Sequence, residues 1–101
     1  MSDAGLREFL RGAVRLHILH HSSRGEIHGA WLSEELVEHG YRISPGTLYP
    51  TLHRMEAEGL LTSRQIVIDG KRLRAYKTTP AGRRALRESK KALKELADEL
   101  L

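Results

Sequence analysis

Apolar residues recur at intervals of three and four in the first third of the chain, the spacing that places them on one face of an α-helix. The stretch 6–21 is predicted to form a first helix, whose buried face consists of Leu6, Phe9, Leu10, Ala13, Val14, His17 and Ile18. In the stretch 28–39, Leu32, Leu36 and Val37 predict a second helix. Gly40 follows at the position where a left-handed residue commonly closes a helix.

The third helix has the clearest boundaries. Ser44 is a good N-cap residue, and Pro45 follows in the first helical position, where its missing N–H leaves no hydrogen bond unmade. The apolar positions of this helix are Leu48, Leu52 and Met55, and Gly59 ends it. Only residues 41–43 separate it from the second helix, so the two are joined by a tight turn, as in a helix-turn-helix.

The periodicity changes after the third helix. The stretch 61–68 contains three consecutive β-branched residues and is predicted to be a strand. Asp69-Gly70 is a strong hairpin turn signal, and the returning strand is expected over 72–78. A last helix begins at Thr79, a good N-cap residue followed by Pro80. The element order predicts a mainly α fold with a small β-hairpin, namely a winged helix-turn-helix.

The last helix is predicted to be a dimerisation helix. Its apolar stripe consists of Leu86, Leu93 and Leu100, seven residues apart, with Leu96 at an intermediate position. Part of this stripe could instead pack on the chain's own core. We expect Phe9 and Leu10 of the first helix to widen the dimer interface, because so short a coiled coil is weak alone. The chain then forms one domain, with a core over 6–79 and a dimerisation helix over 80–101.

The composition narrows the class of protein. The chain has 101 residues, of which 40% are hydrophobic and 30% charged, as in a single globular domain. It contains no membrane-length apolar run, and its first residues lack the pattern of a signal peptide. The absence of cysteine excludes disulfides and thiol chemistry. These features predict a cytoplasmic protein without a membrane partner.

The charge and motifs favour a nucleic-acid partner over catalysis. The formal net charge is +4 and the isoelectric point about 9.8, which suits an anionic partner such as double-stranded DNA. No nucleophile elbow, phosphate-binding glycine loop or His-Glu-x-x-His motif is present. The sequence therefore predicts a protein that is not an enzyme and that needs no cofactor.

Two segments are candidates for DNA contact. The outer face of the third helix collects small and hydrogen-bonding side chains that can enter the major groove: Ser44, Thr47, Tyr49, Pro50, Thr51, His53 and Arg54. The hairpin contributes the cations Lys71, Arg72 and Arg74, which can neutralise phosphates. An ordinary solvated helix face and a cation-protected edge strand would look similar taken singly. A winged-helix adaptor that binds protein rather than DNA is the alternative function.

Several motifs resemble the PadR-like family of transcriptional regulators. They are Ser44-Pro45-Gly46-Thr47-Leu48-Tyr49-Pro50, Glu58-Gly59-Leu60-Leu61 and Thr79-Pro80-Ala81-Gly82-Arg83-Arg84-Ala85-Leu86. The resemblance covers almost the whole chain. It implies a winged-helix DNA-binding domain and a homodimer held by the terminal helices. It also implies repression of nearby genes, often relieved by a small-molecule effector. Where the family has a leucine before Thr-Pro, this chain has Thr78.

The histidines and the single tryptophan suggest two further sites. His17, His20 and His21 are close together on the first helix, and His28 follows, so a transition-metal site is conceivable. No Cys, Asp or Glu completes an obvious ligand set, however, and histidines in a last helical turn also interact favourably with the helix dipole. We therefore predict no metal site. Trp31 could line an effector pocket, although a lone tryptophan on an amphipathic helix more often belongs to a core or interface.

Overall fold

A computed structural model describes residues 4–101. Its helices are α1 (Ala4–Ser23), α2 (Gly29–Glu38), α3 (Pro45–Ala57) and α4 (Pro80–Leu100), and its strands are β1 (Ile27–His28), β2 (Leu61–Ile68) and β3 (Lys71–Thr78). The predicted winged helix-turn-helix is confirmed, with helix ends within about two residues of the expected positions. Among the described residues, no helix is both long enough and apolar enough to cross a membrane.

The three strands form one antiparallel sheet in the order β1-β3-β2. The hairpin closes at Asp69 and Gly70, whose φ angles of 51° and 76° are both left-handed, as a tight two-residue hairpin turn requires. Strand β1 was not predicted. It has two residues, too few to show a period, and it forms only because Ile27 pairs with Tyr76 on the free edge of β3.

The core is formed mainly by α2, α3 and the second half of α1. Its fully buried large side chains are Ile18, Leu32, Leu36, Leu48, Leu52, Met55 and Tyr76. The predicted apolar faces of the second and third helices are confirmed, except that Val37 is exposed. The prediction for α1 is wrong in its first half. Leu6, Phe9 and Leu10 are exposed, because α1 extends beyond the elements that cover Val14 and Ile18.

Two predicted contact residues are buried inside the protomer. Thr51 was predicted to face DNA, but it is only 7% exposed, and its hydroxyl donates to the Thr47 carbonyl oxygen at 2.8 Å. It lies one turn from Leu48 and Met55 and shares their buried face. Leu86 was predicted to lie in the dimer interface, yet it is 7% exposed and packs in the protomer's own core.

Thr79, at the start of α4, is hydrogen-bonded to Gly59 and Leu60, the residues that follow α3. The Thr79 N–H donates to the Leu60 carbonyl oxygen at 3.1 Å, and its hydroxyl donates to the Gly59 carbonyl oxygen at 2.6 Å. The same hydroxyl accepts from the Gly82 N–H at 3.0 Å, which confirms Thr79 as the N-cap. A Cβ at Gly82 would collide with the Leu60 carbonyl oxygen, so the joint requires glycine there.

The other predicted cap behaves differently. Ser44 is the N-cap of α3, as expected, but its side chain makes no capping hydrogen bond and donates instead to the Thr47 hydroxyl at 3.3 Å.

Thr78, which stands where the family has a leucine, is buried in the core. It is 4% exposed, and its hydroxyl contacts that of Ser22. It also donates to the Leu19 carbonyl oxygen at 3.1 Å, so the polar residue is satisfied in the core.

Candidate nucleic-acid interface

The outer face of α3 is a polar surface opposite the buried Leu48, Leu52 and Met55. The side chains that the structure brings together there are Ser44, Thr47, Tyr49, Pro50, His53 and Arg54, all exposed. No carboxylate lies among them, since Glu56 is the first acidic residue of α3. A carboxyl-free face of small, hydrogen-bonding groups is one that can approach base edges without repelling phosphates.

Tyr49 is held by its packing on the start of α2. A Cβ built on Gly29 would lie 2.5 Å from Cε1 and 2.7 Å from the hydroxyl oxygen of Tyr49, so the ring rests directly on the Gly29 backbone. Gly29 itself is buried, whereas the tyrosine remains 42% exposed. Gly29, the first residue of α2, therefore has a steric role in orienting Tyr49.

The wing consists of β2, β3 and the turn between them, and its cations do not all share one face. Arg72 lies opposite Val67 and Arg74 opposite Gln65, so both arginines belong to one face of the hairpin. Lys71 pairs with Ile68 and belongs to the other face. All three cations are exposed, as a role in phosphate contact requires. The arginine pair and the lysine therefore lie on opposite faces of the hairpin.

Arg74 connects the wing to α3 through a hydrogen-bonded chain. Its guanidinium donates to the Ser63 hydroxyl at 3.1 Å, and that hydroxyl donates to the Glu56 carboxylate at 2.8 Å. The chain links β3, β2 and α3 near the base of the wing. The chain also occupies the Glu56 carboxylate, the acidic group of α3. The second acidic group at this end, Glu58, pairs with Arg15 at 2.6 Å.

One wing arginine is already neutralised. Arg64 binds Glu26 through two hydrogen bonds of 2.7 Å, from Nε and from an Nη nitrogen. This hydrogen-bonded pairing lowers the pKa of the Glu26 carboxyl. A bidentate arginine–carboxylate pair fixes the guanidinium and cancels its charge, so Arg64 is a poorer phosphate ligand than Arg72.

A second exposed surface is apolar and lies where α1 passes α4. Phe9 is 61% exposed, and Leu93, Leu96 and Leu100 of α4 are also exposed. The two helices border a groove of about 730 Å³, with Leu16 and Leu86 among its lining residues. Phe9, Leu93, Leu96 and Leu100 were all predicted to form the dimer interface. Leu10, predicted with them, lines a different groove beside Arg11 and Val14. A contiguous apolar surface of this kind marks an interaction site.

Trp31 lies at the edge of a cavity of about 410 Å³ between the end of α1 and the start of α2. Its indole meets the His21 ring edge to face at 5.3 Å between centroids. Arg24, Glu26 and His28 also line the cavity. His28 is the N-cap of α2, and its Nδ1 accepts a hydrogen bond from the backbone N–H of Trp31 at 3.4 Å. The sequence suggested that Trp31 could line an effector pocket, and in the structure its side chain borders this cavity.

A helix-turn-helix whose last helix has a polar, carboxyl-free outer face, beside a cationic two-stranded wing, places the protein in the winged-helix class of regulatory domains. Comparison with known proteins refines this class. The sequence profile of the Transcriptional regulator PadR-like family matches residues 18–88, and the chain belongs to that family. The resemblance drawn from the motifs is thereby confirmed. Since the family consists of transcriptional regulators, the prediction that the protein is not an enzyme is confirmed as well.

Individual relatives agree with this assignment. The chain is 66% identical over 96 residues to the transcriptional regulator Rv3488 of Mycobacterium tuberculosis, covering 95% of this chain and 90% of the relative. A PadR family regulator from Eggerthella lenta superposes with a TM-score of 0.83 at 33% identity, over 97% of this chain and 87% of that one. A PadR-like regulator from Bacillus cereus also gives a TM-score of 0.83, at 29% identity over 92% of each chain.

Proposed function

We propose that the protein is a sequence-specific DNA-binding repressor that acts as a homodimer. The observation that carries the proposal is the juxtaposition of two exposed surfaces: the polar face of α3 and the arginine face of the wing. In this arrangement Thr47, Tyr49 and Arg54 read base edges in the major groove. Repression requires only that the bound protein occupy a promoter.

The wing and α3 have separate tasks in this proposal. Arg72 and Arg74 neutralise phosphates and set the overall affinity, which is salt-dependent and largely independent of sequence. Tyr49 and Arg54 supply discrimination between operator and random DNA. The Arg74–Ser63–Glu56 chain keeps the wing at a fixed position relative to α3, so both surfaces can engage one duplex without reorganisation.

Dimerisation follows from the apolar surface at α1 and α4. Leu93, Leu96 and Leu100 lie exposed along α4, and Phe9 continues the apolar surface on α1. Burying this surface against a second copy releases the water that now covers it. A two-fold dimer also presents two α3 helices to half-sites about 34 Å apart, one turn of DNA, which a single module cannot do.

We place effector recognition in the cavity beside Trp31. The cavity lies where α1 meets the first helix of the helix-turn-helix, and its wall combines an indole with cationic and anionic side chains. A small molecule seated there would contact α2 directly. Since the Tyr49 ring packs on Gly29, the first residue of α2, a shift of that helix would move Tyr49 within the polar face of α3.

The DNA-binding proposal is tested by fluorescence anisotropy on an operator selected from a random-sequence library. Replacing Arg72 and Arg74 with alanine should weaken binding to every sequence and reduce the salt slope by about one unit per lost phosphate contact. Arg54→Ala should reduce mainly the ratio of operator to random affinity. Lys91→Ala, a charge-matched control on α4, should change neither quantity. A folded dimer that selects no sequence and ignores the arginine changes would instead indicate a protein–protein adaptor.

The dimer proposal is tested by analytical ultracentrifugation. Leu93→Asp with Leu100→Asp should give a folded monomer with weakened operator binding. The control carries Glu95→Asp with Glu99→Asp, which introduces the same residue type on α4 without touching the apolar stripe. A wild-type chain that sediments as a monomer at micromolar concentration and retains full operator affinity would refute the dimer.

A further inference from the structure

Four side chains converge where the second half of α1 packs against the end of α2. His17 and His21 lie one turn apart on α1, while Glu35 and His39 are four residues apart at the end of α2. One ligand atom from each of the three histidines lies within 4.8 Å of the other two. A Glu35 carboxylate oxygen is 3.2 Å from His39 Nε2 and 3.7 Å from His21 Nε2.

The group is incompletely satisfied as it stands. His39 donates to Glu35, but His21 Nε2 is buried and has no hydrogen-bond partner within residues 4–101. Burial, followed by repulsion from neighbouring histidines, lowers the pKa of both His17 and His21. A buried, unpaired nitrogen in a native structure requires an explanation.

Ring packing accounts for only part of this arrangement. His17 packs on His39 with centroids 4.9 Å apart, and the Tyr41 ring meets His17 edge-on at 5.1 Å. Such contacts can hold aromatic rings together without an ion. They do not explain why one carboxylate oxygen lies between two imidazole nitrogens, one of which is otherwise without a partner. A cation at this point would satisfy all four groups.

We propose that His17, His21, His39 and Glu35 bind one divalent transition-metal ion of the kind that imidazole prefers, such as Zn²⁺, Ni²⁺ or Co²⁺. Three nitrogens and one carboxylate disfavour Ca²⁺ and Mg²⁺, which take oxygen ligands. Tetrahedral Zn²⁺ with bonds of about 2.0–2.1 Å places its ligand atoms roughly 3.3 Å apart. The three imidazole nitrogens, which lie within 4.8 Å of one another, must therefore approach by up to about 1.5 Å. Side-chain rotation suffices, because His39 is half exposed.

The sequence analysis considered His17, His20, His21 and His28 and predicted no metal site, so this proposal departs from that prediction. His20 and His28 are not members of the converging group, whereas His39 and Glu35 are. The bound ion would clamp the end of α1 to the end of α2. Trp31, the only tryptophan of the chain, touches the His21 ring and therefore provides a built-in reporter.

Isothermal titration calorimetry of the full chain with Zn²⁺, after dialysis against a chelator, tests the site without DNA. We expect one ion per protomer. His21→Ala, His39→Ala and Glu35→Gln should each weaken binding at least tenfold, whereas His20→Ala and His53→Ala should leave it unchanged. Zn²⁺ should raise the Tm of the wild type and of the two controls by several degrees, but not that of the three site variants.

Spectroscopy supplies the second readout. Ni²⁺ should quench Trp31 fluorescence in the wild type and not in His21→Ala, and Co²⁺ should give the intense visible bands of tetrahedral coordination. Binding that survives both His21→Ala and His39→Ala, or that falls equally in His20→Ala, would overturn the proposal. So would the absence of heat and of any Tm change in excess Zn²⁺. Neither result bears on DNA binding.

Discussion

Replacing Gly29 with alanine should weaken operator binding without destabilising the fold. The added Cβ would lie 2.5 Å from Tyr49 Cε1, whereas carbon atoms in contact prefer about 3.5–4.0 Å, so the ring must retreat by about 1 Å. The ring can do so because it is 42% exposed. Alanine is also the better helix former, by up to about 1 kcal/mol, so the free energy of unfolding should change by less than that.

The loss in DNA binding can be bounded. A well-placed contact with a base contributes about 1–3 kcal/mol of discrimination, so a displaced Tyr49 should lower operator affinity by about 5- to 150-fold. Affinity for random DNA should stay within about twofold, because the phosphate contacts of the wing are untouched. Anisotropy titrations with both duplexes measure these two quantities, and urea denaturation measures the stability.

A double-mutant cycle separates this mechanism from a general disturbance of α2. In a Tyr49→Ala background the methyl group added at position 29 has no ring to collide with. Gly29→Ala should then have almost no further effect on operator affinity. An equal loss in both backgrounds would show that the glycine acts through something other than Tyr49. Wild-type operator affinity in Gly29→Ala would refute the role of Tyr49 in sequence discrimination.

Three further expectations concern stability and are measured by urea denaturation. Gly82→Ala should cost about 1–3 kcal/mol, because its Cβ strikes a backbone carbonyl, whereas Gly12→Ala, in open space, should cost nothing; equal values would contradict the packing argument. Thr78→Val should cost about 1–2 kcal/mol through loss of its buried hydrogen bonds, with Thr78→Ser largely retaining them; an unaffected valine variant would count against that role. Thr79→Ala should cost about 1 kcal/mol and Ser44→Ala only a few tenths, since only the former hydroxyl caps its helix; the reverse order would be inconsistent with these caps.

Features set by local sequence were predictable. The spacing of Leu48, Leu52 and Met55, bounded by Pro45 and Gly59, fixed α3 because helix period and capping are properties of neighbouring residues. The Asp69-Gly70 turn fixed the register of the hairpin for the same reason.

Features set by long-range contacts were not predictable. The burial of Thr51 is an exception, because its position one turn from Leu48 and from Met55 already indicated the buried face of α3. Strand β1 exists only because β3 offers it an edge. The convergence of His39 and Glu35 on His21 depends on how α1 and α2 pack, which no spacing along either helix reveals. The spacing of the α1 histidines alone therefore gave no complete ligand set, and the sequence predicted no metal site.

The joint at Thr79 makes α4 a rigid lever. Its 21 residues extend about 30 Å from a pivot that is hydrogen-bonded to Gly59 and Leu60, directly after α3. In the proposed dimer, a change of about 10° in the angle between the two copies would displace one end of α4 relative to the other by roughly 5 Å, more than the 3.4 Å rise of one base pair. A small change in the angle between the subunits would thus move the two α3 helices out of register with the half-sites of the operator. The dimer could then leave the DNA without any unfolding of its winged-helix domains.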